Sequence, residues 1–338
     1  MQLVLDTRGI VVKKKNNCFW LATEANERII SPHKVSSIAI TSNVMLSSAA
    51  IRLAIEHKIP IYFIDAYGRV EGQLWSASFG HLATVRRLQV SFVHTLLAAS
   101  WVIDLFVAKA SHQCQNLGFW ANRHPAQKGL LNKAIADIDN QTVSLESYRK
   151  TTLEQCADTL RGLEGSAARA YWQALSQTMP LGWQFDNRNR HPAQDAFNAC
   201  LNYTYGMLYT TVETALFSVG LDPYLGVFHA DQYNKPTLSY DLIEPFRPWI
   251  DRMLTDLILN KQLDIDDFEL SKDGGVLIGK ANRRTLIVAY NEKMTEIADF
   301  ANQRVSRRTH IYRYASRLVN TLEEIGKNEI TDPKNLNL

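Results

Sequence analysis

The most constraining feature of this sequence is a change in hydrophobic periodicity near residue 80. Before that point, short apolar runs are separated by turn residues, which is typical of β-strands. From about residue 84 onward, apolar residues recur with a period near 3.6, which is typical of packed α-helices. The sequence therefore predicts an α+β protein, in which a small N-terminal β-rich domain precedes a larger all-α domain.

The first part of the chain predicts six strands and one helix. Tyr67-Gly68 is a turn signal between the last two strands, and Ser47 and Ser48 can cap a short helix. The strands are expected at residues 2–5, 10–14, 18–21, 35–41, 59–64 and 69–74.

The second part predicts seven long amphipathic stretches and a loose tail. The stretches cover residues 84–117, 127–138, 144–178, 192–220, 239–262, 284–301 and 303–325. The polar C-terminus contains Pro333 and lacks helical periodicity. The expected domains are therefore residues 1–80 and 84–326, followed by a flexible tail over 327–338.

Composition excludes several classes of protein. The 37 basic and 34 acidic side chains give a net charge of +3, which excludes a histone-like polycation but leaves a nucleic-acid binder with segregated charge open. The four cysteines include no CxxC pair, which argues against a closed zinc site or a disulfide framework. No secretory signal opens the sequence, so we expect a cytoplasmic protein.

Residues 90–108 form the one segment apolar enough to test as a membrane span. Arg86, Arg87 and Lys109 flank it and could extend to a membrane surface. Against a span, polar residues such as His94 and Asp104 recur within the segment, and no second comparable segment exists. A buried core helix is the better interpretation, and no membrane association is expected.

Glu164 interrupts an apolar helical line. Leu160 lies on that line four residues before Glu164, and Ala167 lies on it three residues after Glu164. Glu164 therefore occupies a position that faces the core. A buried carboxylate needs a cation, a metal or several hydrogen-bond donors. Gly162 and Gly165 each cost about 1 kcal/mol relative to alanine inside a helix, which indicates close approach of a segment or a ligand. A buried ion pair explains Glu164 as well as a metal ligand does.

Further candidates lie between residues 229 and 248. His229 follows a glycine- and proline-rich stretch and is expected in a loop, where a lone histidine is most often structural. Ser239 is the expected helix N-cap, which places Asp241 and Glu244 three residues apart on one helical face. Carboxylates near a helix start also serve the helix dipole alone, so both interpretations stay open.

Together, Glu164, His229, Asp241 and Glu244 would supply oxygen ligands and one imidazole. Such a set suits Mg²⁺ or Mn²⁺ better than tetrahedral Zn²⁺. Ions of this kind commonly serve phosphoryl transfer. Sequence spacing alone does not show that the four residues meet in space.

Four motifs follow one another along nearly the whole chain. They are Ile38-Ala39-Ile40 with Leu46 to Ile51, Ile59 to Asp65 and Gly68; Leu163-Glu164-Gly165 with Ala168 and Tyr171-Trp172; Arg190 and Pro192 with Asp195, Asn198 and Gly206; and His229 with the run from Tyr240 to Pro248. In this order they resemble the family of CRISPR-associated adaptation integrases, metal-dependent nucleases that insert new spacers into CRISPR arrays.

The resemblance implies a metal site and a DNA substrate. It implies that Glu164, His229 and Glu244 bind Mg²⁺ or Mn²⁺. It places Asp241 beside or within the catalytic site, and Arg247 where it can contact DNA phosphate. It also implies a homodimer formed through the β-rich domain, a catalytic helical domain, and assembly with a small ferredoxin-like partner. The implied reaction is attack of the 3′ hydroxyl of a prespacer duplex on a phosphodiester at the repeat boundary.

Arginines near the C-terminus form a strong local positive charge. Arg304, Arg307, Arg308, Arg313 and Arg317 follow one another with no acidic residue between them. Such side chains bind phosphates without reading sequence, which suits capture of arbitrary duplexes. We expect DNA contacts from Arg304, Arg307 and Arg308, although a solvated face explains the cluster as well.

Three other functions fit parts of the sequence. A general or structure-specific DNA nuclease would use the same ion and carboxylates with water in place of the 3′ hydroxyl, and the sequence does not separate the two. A non-catalytic DNA-binding scaffold is disfavoured because all proposed ligands are present. A membrane-associated helical protein rests only on residues 90–108.

Overall fold

The structure is a computed structural model that describes residues 1–23, 26–64, 70–74, 82–189, 192–230, 233, 235–272 and 274–331. Asp65, Gly68 and Arg190 of the sequence motifs, the turn expected at Tyr67-Gly68 and residues 332–338 of the tail lie outside these ranges. Within them, strands dominate the first 74 residues and helices dominate the rest, which confirms the predicted α+β fold class.

The N-terminal region contains eight strands and one helix among its described residues. They are β1 (Gln2–Leu5), β2 (Val11–Lys15), β3 (Cys18–Ala22), β4 (Glu27–Ile30), β5 (Ser37–Ile40), β6 (Met45–Leu46), α1 (Ser48–Glu56), β7 (Ile61–Ile64) and β8 (Val70–Leu74). All six predicted strands are present, whereas β4 and β6 were not predicted. Ser47 caps α1 as expected, because its side chain accepts a hydrogen bond from the Ala50 amide.

These strands form two four-stranded sheets. One has the order β1-β5-β7-β8, in which β1, β5 and β7 are parallel and β8 is antiparallel to β7. The other has the order β4-β3-β2-β6. A buried cluster that includes Leu5, Phe19, Ile38 and Leu53 joins residues of both sheets and α1.

The C-terminal region contains nine helices and two hairpins among its described residues. The helices are α2 (Leu82–Phe92), α3 (Leu96–Arg123), α4 (Lys128–Glu146), α5 (Leu153–Ser176), α6 (Ala196–Ser218), α7 (Thr237–Leu242), α8 (Arg247–Leu259), α9 (Lys280–Thr295) and α10 (Arg307–Thr331). The hairpins pair β9 (Phe268–Leu270) with β10 (Val276–Ile278), and β11 (Ile297–Phe300) with β12 (Gln303–Ser306). Periodicity did not predict these strands, and α10 continues five residues into the expected tail.

Helix α3 lies in the core of the helical region. Its buried residues include Val102, Ile103, Leu117 and Trp120, as expected for a core helix. No single described helix is long and apolar enough to cross a membrane, although α2 and α3, bent by 84° at their junction, pass the same test of length and composition as a pair.

One face of the first sheet packs on the helical region. Tyr62 Oη lies 2.7 Å from Thr214 Oγ1 of α6, and Gln2 Nε2 donates to Thr210 Oγ1 at 2.5 Å. Arg308 at the start of α10 donates to Ser36 Oγ before β5. Strands β1 and β5 are therefore covered on both faces, which explains their nearly continuous apolar sequences. The division into two domains at residue 80 stays a prediction.

Candidate functional site

A cavity of about 550 Å³ in the helical region is lined by the three predicted metal ligands and by Arg247. Its lining includes Glu164 from α5, His229 from the loop before α7, Glu244 from the segment that joins α7 to α8, and Arg247 at the start of α8. Asp241 does not line this cavity, and its side chain is only 1% exposed.

Glu164 faces the cavity because α5 buries its apolar side. Leu160, Ala167 and Tyr171 on that side are buried, whereas the Glu164 side chain is 27% exposed. A Cβ at Gly162 or Gly165 would meet no described atom within 4 Å, so close approach of another chain segment does not explain these glycines.

Asp241 holds the loop that carries His229. Its Oδ2 accepts hydrogen bonds from the backbone amides of Val227 and Phe228 at 2.7 and 3.0 Å. Its Oδ1 accepts from the His229 amide at 3.1 Å and lies 2.6 Å from His229 Nδ1. The carboxylate therefore fixes both the loop and the imidazole, and leaves Nε2 of the half-exposed ring available to the cavity.

Asp241 and Glu244 do not share a helical face as expected. Helix α7 begins at Thr237, so Ser239 lies inside it and is not the N-cap. Glu244 begins a short 3-10 helix that also contains Pro245. This change of helix type turns Glu244 towards α3 and α5, while Asp241 faces the His229 loop.

Glu244 lies in a buried cluster of charges. Its Oε2 accepts from Lys109 Nζ at 2.6 Å, and its Oε1 accepts from Arg247 Nε at 2.8 Å. Burial alone would raise the pKa of Glu244, but Arg247 and Lys109 hold it well below its usual value. Glu244 is therefore an ionised carboxylate at neutral pH.

Lys109 of α3 bridges the two candidate ligand carboxylates. Its Nζ donates to Glu164 Oε1 as well as to Glu244. Burial opposes the charge of this ammonium, but the two carboxylates raise the pKa of Lys109 above its usual value. Glu164 therefore takes part in an ion pair, which was one of its two interpretations, and Lys109 is not the exposed flank that the sequence suggested.

Arg247 is a buried partner of Glu244. Its Nη2 donates to Tyr209 Oη at 2.6 Å, and its Cζ lies 4.8 Å from the ring centroid of Tyr205. Glu244 raises the pKa of this guanidinium, although burial opposes its charge. Arg247 thus orients Glu244, and the predicted contact with DNA phosphate could be made only from within the cavity.

The donor set fits a hard divalent ion, with one rearrangement. Two carboxylates from Glu164 and Glu244 and a free imidazole Nε2 from His229 are suitable ligands for Mg²⁺ or Mn²⁺. As the side chains stand, no three His, Cys, Asp or Glu residues in the described part of the chain form a ready-made ion site. The Lys109 ammonium contacts both carboxylates instead.

The C-terminal arginines predicted to bind DNA lie outside the cavity lining. Arg304 on β12 is exposed. Arg307 pairs with Glu296 at 2.5 Å, and Arg308 contacts Ser36. Two of the three therefore have partners within the protein, which the sequence did not indicate.

Sequence reasoning missed six charged residues that line the cavity. They are Lys109, Arg161, Arg169, Asp186, Arg188 and Asp251. A signal was present for Lys109, because it is the only lysine in the long apolar helix α3. Burial raises the pKa of Asp251 to about 7, despite a hydrogen bond from Tyr205 at 2.6 Å. Its position on the buried side of α8 follows only from the folded structure.

Comparison with known proteins identifies the family. A family model described as CRISPR associated protein Cas1 matches residues 3–292. The chain belongs to the Cas1 family. A curated relative, CRISPR-associated endonuclease Cas1 1 of Methanospirillum hungatei, is 30% identical over 273 residues, which cover 78% of this chain and 76% of the relative.

Two solved structures share the fold of this Cas1 chain. A casposase bound to integration product matches with a TM-score of 0.79 and 22% identity, over 95% of this chain and 91% of that one. A Cas6-RT-Cas1–Cas2 complex matches with the same TM-score and identity, over 96% of this chain and 35% of that longer chain. The resemblance seen in the sequence motifs is thus confirmed at the level of family and fold.

Proposed function

We propose that this Cas1 protein is a divalent-metal-dependent DNA endonuclease and integrase of CRISPR adaptation. The 3′ hydroxyl of prespacer DNA would attack a phosphodiester at the boundary of a CRISPR repeat. A new phosphodiester would form while the existing P–O bond breaks and releases the 3′ hydroxyl of the repeat strand. The observation that carries the proposal is the convergence of Glu164, His229 and Glu244 on one cavity in a chain of the Cas1 family.

The proposed ion is Mg²⁺ or Mn²⁺, held by the Glu164 and Glu244 carboxylates and by His229 Nε2. When bound, such an ion polarises the scissile phosphate and favours the deprotonated form of the attacking hydroxyl. The chain supplies the preorganisation: Arg247 keeps Glu244 ionised and oriented, and Asp241 fixes the loop and ring of His229.

DNA phosphates would be bound at two places. Arg161, Arg169 and Arg188 line the cavity itself and can contact the backbone near the reacting phosphate. Arg304, which is exposed, and the partly engaged Arg307 and Arg308 would contact the duplex farther away. Contacts of this kind give affinity and salt dependence without sequence readout.

The proposed partners are double-stranded DNA, a second copy of this chain and a small ferredoxin-like protein. Similarity to a chain in a Cas6-RT-Cas1–Cas2 complex supports assembly with a second CRISPR protein. Similarity to a casposase bound to integration product supports joining of DNA as the reaction. The β-rich region is the proposed surface for the homodimer.

A strand-transfer assay tests this function. Labelled duplex with free 3′ hydroxyls is incubated with Mn²⁺, the small partner and a supercoiled plasmid that carries the repeat. We compare the wild type with Glu164→Gln and with Glu154→Gln, a control on the exposed start of α5. Covalent joining that needs the ion, the 3′ hydroxyl and Glu164, but not Glu154, supports an integrase. Metal-dependent cutting without joining would instead indicate a general DNA nuclease.

A further inference from the structure

Lys109 contacts two proposed metal ligands of the cavity at once. Its ammonium donates to Glu164 and Glu244, and its side chain is only 12% exposed. Residues around it on α3, such as Phe106 and Ala110, are buried in the core. A lysine in such a position needs both carboxylates, since an unpaired buried ammonium is costly.

The charges in this cluster balance without a metal. Glu164 and Glu244 contribute two negative charges, and Lys109 and Arg247 contribute two positive charges. A divalent ion between the same carboxylates would lie against the ammonium, and like charges at such a distance repel strongly in a buried site. The ion can therefore enter only if one of the two protein cations leaves.

Lys109 is the cation that can leave. Arg247 is fixed by Tyr209 and lies over the Tyr205 ring, in addition to its contact with Glu244. Among the described residues, Lys109 makes polar contacts with the two carboxylates alone, and its flexible four-carbon stem ends at the cavity. The ammonium of lysine is also compact and its donors rotate freely, whereas the guanidinium of arginine is planar and its donors are rigidly placed.

We propose that Lys109 is a displaceable counter-cation of the metal site: it holds Glu164 and Glu244 together before metal binds, and the ion must displace it. This inference rests on the metal site of the proposed function. The displaced ammonium stays at the cavity, where a substrate phosphate can take the place of the carboxylates as its partner. Lys109 thus lowers the affinity for the metal in the free protein. This effect on metal affinity is smaller when DNA is bound.

Titration with Mn²⁺ in the absence of DNA tests the inference through a binding constant. The proteins are the wild type, Lys109→Met, Lys109→Gln, Lys109→Arg and Glu164→Gln, all stripped of metal. Removing the ammonium should tighten Mn²⁺ binding about tenfold or more in the Met and Gln variants, because no cation competes. Lys109→Arg keeps the charge and should not tighten binding, and Glu164→Gln should weaken it.

A second readout is the melting temperature with and without Mn²⁺. Lys109→Gln, which retains hydrogen-bond donors, should melt below the wild type without metal, because two carboxylates then lose a counter-ion. Added Mn²⁺ should stabilise it more than it stabilises the wild type. This comparison uses Gln so that a failure of the Met variant to fold leaves the inference testable.

The outcomes separate the two proposals. If Lys109→Gln binds Mn²⁺ no more tightly than the wild type while Glu164→Gln still loses affinity, the role of Lys109 is wrong and the metal site stands. If Glu164→Gln binds Mn²⁺ as the wild type does, the proposed metal site itself is wrong.

Discussion

At the scale of single residues, Asp241 and Glu244 lie three positions apart and serve different partners. Asp241 Oδ2 accepts hydrogen bonds from two backbone amides. Its Oδ1 accepts a hydrogen bond from a third amide and also contacts His229 Nδ1. Glu244 contacts two cations at the cavity. The sequence placed both acids near the site, but it could not assign these roles, because the partners of Asp241 come from a loop twelve or more residues earlier.

Asp241→Asn should weaken Mn²⁺ binding while Glu164, His229 and Glu244 remain present. The amide of asparagine would present a donor to groups that already donate, so the imidazole would lose its fixed orientation. We expect Mn²⁺ affinity to fall about 10- to 100-fold, as is common for such supporting residues. Calorimetric titration measures this, with Asp266→Asn at an exposed site as the control. Unchanged affinity would mean that Asp241 does not position His229.

Glu213 should make stability depend on pH. Burial on α6 raises the pKa of Glu213 from 4.5 to about 7. Between these values the unfolded chain ionises this group while the folded chain keeps it protonated, so the free energy of unfolding falls as pH rises and levels off above about 7. Relative to Glu213→Gln, the wild type should lose up to about 3 kcal/mol between pH 4 and 8.

Urea unfolding of both proteins at several pH values measures this difference. Asp251, whose pKa is also raised to about 7, contributes equally to both proteins and cancels in the comparison. Parallel curves for the two proteins would show that Glu213 is not protonated in the folded state near neutral pH.

At the scale of elements, the turn before His229 requires glycine at position 226. A Cβ at Gly226 would lie 2.4 Å from the His229 carbonyl oxygen and 2.8 Å from Thr237 Cβ. Both neighbours belong to the structure that places the imidazole, since Thr237 begins α7 and also donates to the Tyr224 carbonyl at 2.9 Å.

Gly226→Ala should therefore destabilise the protein and disturb the metal site together. We expect a loss of about 1–3 kcal/mol in the free energy of unfolding, because the backbone must shift to admit the methyl group. Mn²⁺ affinity should fall as well. The control is Gly129→Ala on α4, where a Cβ meets no described atom within 4 Å. Wild-type Mn²⁺ affinity in a destabilised Gly226→Ala protein would separate this turn from the site.

The sequence predicted elements well where they are long or alternate cleanly. Strand β1 coincides with its prediction, and β2, β3 and β7 differ by one or two residues at an end. The stretch 239–262 was predicted as one helix, but Pro245 and Pro248 divide it into α7, a 3-10 turn and α8. The hairpins β9–β10 and β11–β12 have strands of three or four residues. Strands β11 and β12 lie within the stretches 284–301 and 303–325, whose period near 3.6 predicted helix instead.

At the scale of the whole molecule, the helical region arranges its charges in two zones. Lys109 and Arg247 are neutralised within the cavity, whereas Arg304 is exposed on β12. The family could be inferred from sequence motifs, whereas the metal-binding role of Glu164, His229 and Glu244 stays a prediction. The contacts of Lys109 could not be predicted, since it is 55 residues from Glu164 and 135 from Glu244 along the chain.

Arg304→Ala should weaken duplex binding without destabilising the protein. Loss of one phosphate contact should lower the slope of log affinity against log salt by about one. The free energy of unfolding should stay within about 0.5 kcal/mol of the wild type, as for most exposed positions. Arg307→Ala should instead lower stability, because this side chain pairs with Glu296 and lies over Trp249. An unchanged salt slope for Arg304→Ala would remove β12 from the DNA path.

The central claim is that Glu164, His229 and Glu244 bind one divalent ion in the cavity. Anomalous diffraction from crystals soaked in Mn²⁺ tests it most directly, because manganese is located independently of the protein atoms. The account predicts one strong peak bonded to both carboxylates and to His229 Nε2, with Lys109 turned away from them. A peak elsewhere, or no peak with Lys109 still between Glu164 and Glu244, would contradict it.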